Sequence, residues 1–215
     1  PQRSVRPVEL ILASGSPYRA EVLRAAGHSV RTDPPEVDER ALDAVFDESG
    51  PEALALELAR LKVARVRHRH PGVPVLGGDQ VGVLETPAGR RMLAKATGEE
   101  AAVEQLMAMS GTTHRLVNAL VVGFESAAGV VTSVEGLDVQ VVTMRHYDEA
   151  TARRYVRAHE PFDTSGSYRI EDDFGLVESV EGEHDSGVLG MPLPLLGRLL
   201  ARLREETEGA AGGVA

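Results

Sequence analysis

Two short apolar runs that end in serine or glycine turns constrain this chain more than any other feature. Val8 to Ala13 is almost wholly aliphatic and leads at once into Ser14-Gly15-Ser16-Pro17. Val73 to Leu76 leads in the same way into Gly77-Gly78-Asp79. Runs of this length between turn residues suit buried strands and are short for core helices. Ser16 before Pro17 is a helix start, a cap followed by proline at the first helical position, and Gly27 closes that helix. A second helix is expected from about Pro51 to the Arg/His-rich stretch near Arg69, with Leu54, Leu58, Leu61 and Ala64 as its apolar stripe. Thr97-Gly98-Glu99-Glu100 reads as a capping box that opens a helix stopping near Gly111.

Leu116 to Phe124 and Val134 to Arg145 read as paired strands around a turn at Ser126 to Gly129. Asp148 caps a helix that ends before Pro161, Phe174 to Val180 is a further strand, and Pro192 to Arg204 a last amphipathic helix. Strands and helices mostly alternate, so the fold class is α/β, with a mixed sheet because of the central hairpin. Pro1 to Pro7 reads as a ragged terminus, and residues 206–215, with Gly209, Gly212 and Gly213, as a flexible tail.

Composition narrows the function. The net charge of −10 argues against a nucleic-acid binder, which needs a basic footprint, but not against a nucleotide enzyme with a few local cations. There is no Cys, which removes disulfides, thiolate catalysis and Cys-ligated zinc and fits a reducing, cytoplasmic location. No apolar run approaches the ~20 residues of a membrane helix. The scarcity of aromatics and the lack of Trp leave Leu, Val and Ala to build the core. Neither a G-x-x-x-x-G-K-[ST] loop nor a G-x-G-x-x-G turn after a strand is present, which removes the usual P-loop and dinucleotide enzymes.

Read locally, the chemistry-bearing positions each admit two meanings. The turn at Ser14, Ser16 and Arg19 offers N–H groups, hydroxyls and a guanidinium to a phosphate, or is ordinary capping beside a surface arginine. Asp79, after two glycines, binds a metal or takes a proton from water, or caps a turn. Glu36, Asp38 and Glu39 form an oxygen-rich loop that suits Mg²⁺ or Mn²⁺, or is simply solvated. Lys62 sits beside the apolar stripe of its helix, and its stem can snorkel. His68 and His70 read as a charged helix end rather than a ligand pair.

Several blocks in order resolve these alternatives. Leu10-Ile11-Leu12-Ala13-Ser14-Gly15-Ser16-Pro17-Tyr18-Arg19 resembles the opening signature of the Maf nucleotide pyrophosphatases. Pro35-Glu36-Val37-Asp38-Glu39, Leu58-Ala59-Arg60-Leu61-Lys62, Gly78-Asp79-Gln80-Val81, Leu93-Ala94-Lys95, Ser110-Gly111-Thr112-Thr113-His114, Pro161-Phe162-Asp163, Gly166-Ser167-Tyr168 and Gly190-Met191-Pro192-Leu193 are similar to its later blocks. The likeness spans residues 8–205 and implies a two-lobed single domain with a long mixed sheet and an active-site cleft between the lobes. It also implies metal-dependent hydrolysis of nucleoside triphosphates to a monophosphate and pyrophosphate. Asp79 would then be the catalytic base, Glu36 and Asp79 the metal site for Mg²⁺ or Mn²⁺, and Ser14, Ser16, Arg19, Lys62 and Lys95 the phosphate contacts.

Tyr18, Gln80 and Glu171 resemble the subgroup acting on 7-methyl-GTP, rather than the one acting on dTTP and UTP. An aromatic face suits a cationic methylated guanine. A non-catalytic nucleotide-binding regulator of cell division is the alternative of another class. The expected partner is a small nucleotide, without nucleic acid or membrane, and a homodimer is compatible. Three departures stand out. Ala20 replaces a basic residue, Ala94 and Ala96 flank Lys95 where glycine and proline are usual, and the loop Glu85 to Arg91 is long, so that Arg90 or Arg91 is a candidate substitute cation.

Overall fold

The computed structural model describes residues 7–212. The expected α/β class holds: six α-helices flank one mixed, seven-stranded sheet in the order β2-β1-β3-β5-β6-β7, with β4 paired to β3. Its chain divides into two compact units. Unit 1 comprises residues 1–80, 118–138 and 183–215; unit 2 comprises 81–117 and 139–182.

In unit 1, β1 (Glu9–Leu12) pairs in parallel with β2 (Ser29–Thr32) and with β3 (Val75–Thr86). Leu10, Ile11 and Leu12 are fully buried, as a parallel strand covered on both faces requires. Helix α1 (Pro17–Ala25) starts as expected, with the Ser16 hydroxyl accepting from the Arg19 N–H at 3.4 Å. Strand β2, the short helix α2 (Asp43–Ser49) and a 3₁₀ turn at Glu39–Leu42 have no counterpart in the sequence reading. They are short and mostly exposed, so no apolar period announces them.

Helix α3 (Pro51–Val66) begins where expected, but its buried face is rotated. Ala64 is exposed, and Leu54, Ala55, Leu58, Ala59, Lys62, Val63 and Val66 face inward. The cause lies in two glycines. A Cβ on Gly77 would lie 2.6 Å from the Ala59 carbonyl oxygen and 2.7 Å from Val63 Cγ2, and one on Gly123 would lie 2.5 Å from Val63 Cγ1. Val63 is therefore sunk between two bare backbone positions, and α3 lies close against the sheet.

The expected end of β3 at Gly77-Gly78-Asp79 is corrected: the strand runs straight through to Thr86. Glycine here marks a close helix approach, not a turn. Likewise Glu85 to Arg91 is no long loop but a hairpin, in which Thr86 pairs with Gly89 and β4 (Gly89–Leu93) returns.

The opposite sheet face of unit 1 carries the core. Leu10, Leu12, Leu76, Leu120 and Val134 pack with Leu23 of α1 and with Leu195, Leu196, Leu199 and Leu203 of α6 (Leu193–Gly212). Helix α6 continues as helix past residue 206, where the sequence reading begins a tail; residues 213–215 of that expected tail and 1–6 of the expected ragged start lie outside the described residues.

Unit 2 holds α4 (Glu99–Met109), α5 (Glu149–His159) and β7 (Val177–Glu181), with the remaining parts of β3, of β5 (Thr113–Glu125) and of β6 (Val131–Met144). The capping box at Thr97 is not formed. Gly98 is the N-cap without a side-chain bond, because Glu99 and Glu100 are engaged by Arg153 of α5. Asp148 caps α5 as expected, accepting from the Thr151 N–H at 2.8 Å. Strand β7 starts three residues later than expected, leaving Phe174 outside it and exposed. Among the described residues no helix is long and apolar enough to cross a membrane.

The seating of Val63 is testable. Gly77→Ala places a methyl group against backbone that cannot swing aside, and overpacking of this kind costs about 1–3 kcal/mol. The urea midpoint should fall accordingly; an unchanged midpoint would mean that α3 does not lie this close.

Candidate active site

Strand alternation puts Gly77 and Asp79 on the face that meets α3, and Gly78 and Gln80 on the other. Because α3 is seated so deeply, Lys62 reaches Asp79. Its Nζ lies 2.6 Å from Asp79 Oδ1 and 2.7 Å from Glu39 Oε1. The Lys62 side chain is only 8% exposed. It does not snorkel from beside the stripe but sits within the buried face, where an ammonium needs paired carboxylates to offset its desolvation. Asp79 remains half-buried, and among the described residues no protein donor reaches its second oxygen, Oδ2.

Arg19 approaches the same strand from α1. Its Nη1 donates to the Gly78 carbonyl oxygen at 2.8 Å. Burial lowers the pKa of this guanidinium, while the charges of Asp79 and Glu39 act in the opposite sense. Gly190 closes over it with φ +74°; a Cβ there would lie 3.3 Å from Arg19 Nε and 3.7 Å from Gln80 Nε2. Ser14 and Ser16 serve local structure, since Ser14 Oγ accepts from the Ser16 N–H at 3.1 Å and Ser16 caps α1. Tyr18, in the first turn of α1, is 45% exposed and so is not a core tyrosine.

Unit 1 thus brings together Arg19, Lys62, Asp79 and Gln80 of the predicted set. Glu36 lies exposed in the loop after β2, and the acid that reaches Lys62 is Glu39. In unit 2, Lys95 is exposed and bridges to Ser165, and Glu171 is exposed within a 3₁₀ turn, Ile170–Asp172. The backbone at Lys95 is held without the flanking glycine and proline. The buried Gln105 accepts from the Ala94 N–H at 3.1 Å and donates to the Ala94 carbonyl at 2.9 Å and to Ser167 Oγ at 2.8 Å. Arg91 lies 3.7 Å from Glu104. A hollow of about 260 Å³ in unit 2, lined by Tyr155, Tyr168, Arg169 and Phe174 among others, includes none of the predicted residues.

Sequence reasoning missed Glu39 as the partner of Lys62, Gln105 as the clamp on Ala94, Gly190 as the cover over Arg19, and Asn118. The last carried a signal: one asparagine within the otherwise apolar run Leu116 to Phe124.

The family model described as Maf-like protein matches residues 9–203. The chain belongs to the Maf family. Among curated relatives, the 7-methyl-GTP pyrophosphatase of Mesorhizobium japonicum is 37% identical over 201 residues, covering 89% of this chain and 94% of that one. The protein of that name from Bdellovibrio bacteriovorus is 36% identical over 194 residues, with 89% and 95% covered. The one from Nitrosococcus oceani is 33% identical over 198 residues, with 92% and 94% covered. One departure from the Maf pattern has a structural reason. Ala20 belongs to the core cluster beside Leu23, so position 20 presents no surface on which a cation could meet a phosphate.

His114 of the Maf block Ser110 to His114 is structural in its contacts. It is buried, and its Nε2 lies 2.9 Å from the Tyr168 hydroxyl. Burial lowers its pKa to about 4. Between the ordinary histidine value of about 6.5 and about 4, the unfolded chain takes up a proton that the folded chain refuses, so stability falls as pH drops through that window. The shift corresponds to roughly 3 kcal/mol. Urea melts at pH 7 and pH 4 should therefore show a larger acid loss for the parent than for His114→Phe; equal losses would contradict the assignment.

Proposed function

We propose that this Maf protein hydrolyses nucleoside triphosphates to a monophosphate and pyrophosphate with a divalent metal, favouring 7-methyl-GTP. The observation that carries the reading is Asp79, held through one oxygen by Lys62 with the other left open, in a chain whose relatives bear the name 7-methyl-GTP pyrophosphatase.

A metal fits the chemistry of the donors. Among the described residues no group of three or more His, Asp or Glu side chains converges as a ready-made cage. Mg²⁺ does not need one, since it keeps several waters and takes one or two carboxylates together with substrate phosphates. Asp79 would hold it, with Glu36 as the expected second ligand, or Glu39, which already shares the Lys62 ammonium. When bound, such an ion offsets charge on the phosphate oxygens.

The chain's own residues do the rest. Asp79 Oδ2 accepts the proton of the attacking water, and Lys62 orients that carboxylate. Arg19 meets the phosphates that leave as pyrophosphate, the role that the family pattern also gives to Lys95. Little covalent chemistry is asked of the protein; positioning and fixed charge supply the rate. Tyr18 offers an exposed ring to the cationic base, a term of roughly 0.5–2 kcal/mol, and the family pattern gives Glu171 the part of a carboxylate for its N–H edge.

Pyrophosphate release from a panel of triphosphates with Mg²⁺ tests this directly. The expected order of rates is 7-methyl-GTP above GTP, with UTP slowest. UTP or dTTP as best substrate would overturn the base assignment alone, and no release from any triphosphate would overturn the activity. Asp79→Asn should lower kcat by about 10²–10⁴ while nucleotide binding largely survives; a near-normal kcat would remove Asp79 from the mechanism.

A further inference from the structure

Asn118 of β5 is completely buried. Its Nδ2 donates to Asp138 Oδ2 at 3.1 Å and to the Gly187 carbonyl oxygen at 2.9 Å. A carboxylate and a carbonyl offer only lone pairs here, so both amide hydrogens are committed. Turning the amide over would set oxygen against oxygen, which fixes its sense. Its Oδ1 is thereby aimed at Gln80, whose Nε2 donates to it at 3.0 Å and also has the carbonyl oxygens of Gly187 and Val188 at 3.1 Å. Nε2 thus carries two hydrogens for three surrounding acceptors, and a reversed Gln80 would face all three with its oxygen. The end that remains is Oε1, and among the described residues no protein group donates to it.

We propose that Asp138 and Asn118 form a polarity relay that holds Gln80 with its carbonyl oxygen toward the ligand, so that position 80 selects a group bearing an N–H donor. The acceptor-only character of the Asp138 carboxylate passes through two amides and emerges as an acceptor beside Asp79. Asn118 and Asp138 are positioning residues: Asn118 touches Gln80, and Asp138 acts through Asn118. Resting on the nucleotide reading of this site, the relay favours a base whose edge presents an N1–H, as guanine does, over adenine, which presents a bare ring nitrogen there.

Two measurements test it with the full chain. In the first, hydrogen exchange of the Gln80 side-chain amide is followed by NMR without any nucleotide. Slow exchange is expected in the parent and faster exchange in Asp138→Asn, where Asn118 loses one of the two acceptors that fix its sense. Exchange in the parent as fast as that of an exposed glutamine would overturn the relay. In the second, kcat/KM is compared for GTP and ATP. Asp138→Asn and Asn118→Leu should each lower the GTP-to-ATP ratio about tenfold, carried by KM, with kcat on GTP within about threefold of the parent. A folded variant with an unchanged ratio would also overturn it. Should Asn118→Leu fail to fold, the nearly isosteric Asp138→Asn decides. A parent that hydrolyses neither nucleotide would defeat the proposed activity instead, and the exchange measurement would still judge the relay.

Discussion

The contact on which unit 1 depends is the seating of Val63 between Gly77 and Gly123. Side chains normally hold a helix about 10 Å from a sheet, and bare backbone at two adjacent strand positions removes that spacer. Three consequences follow from the one approach. The buried face of α3 turns so that Ala64 is excluded and Lys62 is included; β3 continues unbroken; and the ammonium of Lys62 arrives within 2.6 Å of Asp79. The placement of a charged pair is decided here by the absence of two side chains.

That pair is not a stabilising device in itself. Taking an ammonium and a carboxylate out of water costs several kcal/mol for each ion, and the mutual attraction only roughly repays it. Glu39 adds a second, half-exposed carboxylate to Lys62, and Arg19 adds a further cation near Asp79. A cluster of this kind, within an apolar helix face, is better explained by chemistry than by folding. The exposed network of Arg153 with Glu99, Glu100 and Glu149 in unit 2 is a contrast: its groups are mostly solvated, so each pair adds little.

On the other face of β3 the organising principle is hydrogen-bond direction, not charge. Asp138, Asn118 and Gln80 are joined by complementary lone pairs and hydrogens, together with the carbonyls of Gly187 and Val188. Buried amides are expensive unless satisfied, and satisfaction restricts each to one orientation. The same strand therefore offers a carboxylate on one face and an oriented amide on the other, from adjacent residues.

The α/β class, the start of α1, the cap at Asp148 and the β5–β6 hairpin were legible in the sequence because each rests on local rules: apolar period, capping chemistry and turn residues. The candidate site residues Arg19, Lys62, Asp79 and Gln80 were legible as motif positions. Their relations were not. Gly77-Gly78 has the same sequence whether it turns a chain or admits a helix, and only the neighbouring α3 decides between the two. Glu39 looked no different from Glu36 in an acidic loop, since which one meets Lys62 depends on a 3₁₀ turn with no apolar signature. Thr97 lost its capping role because Glu99 and Glu100 are drawn to an arginine more than fifty residues away. Asn118 stands 38 residues from Gln80 and 20 from Asp138. Local physics chose the elements and the chemical types, whereas the sense of each hydrogen bond and the partner of each charge were set by long-range packing.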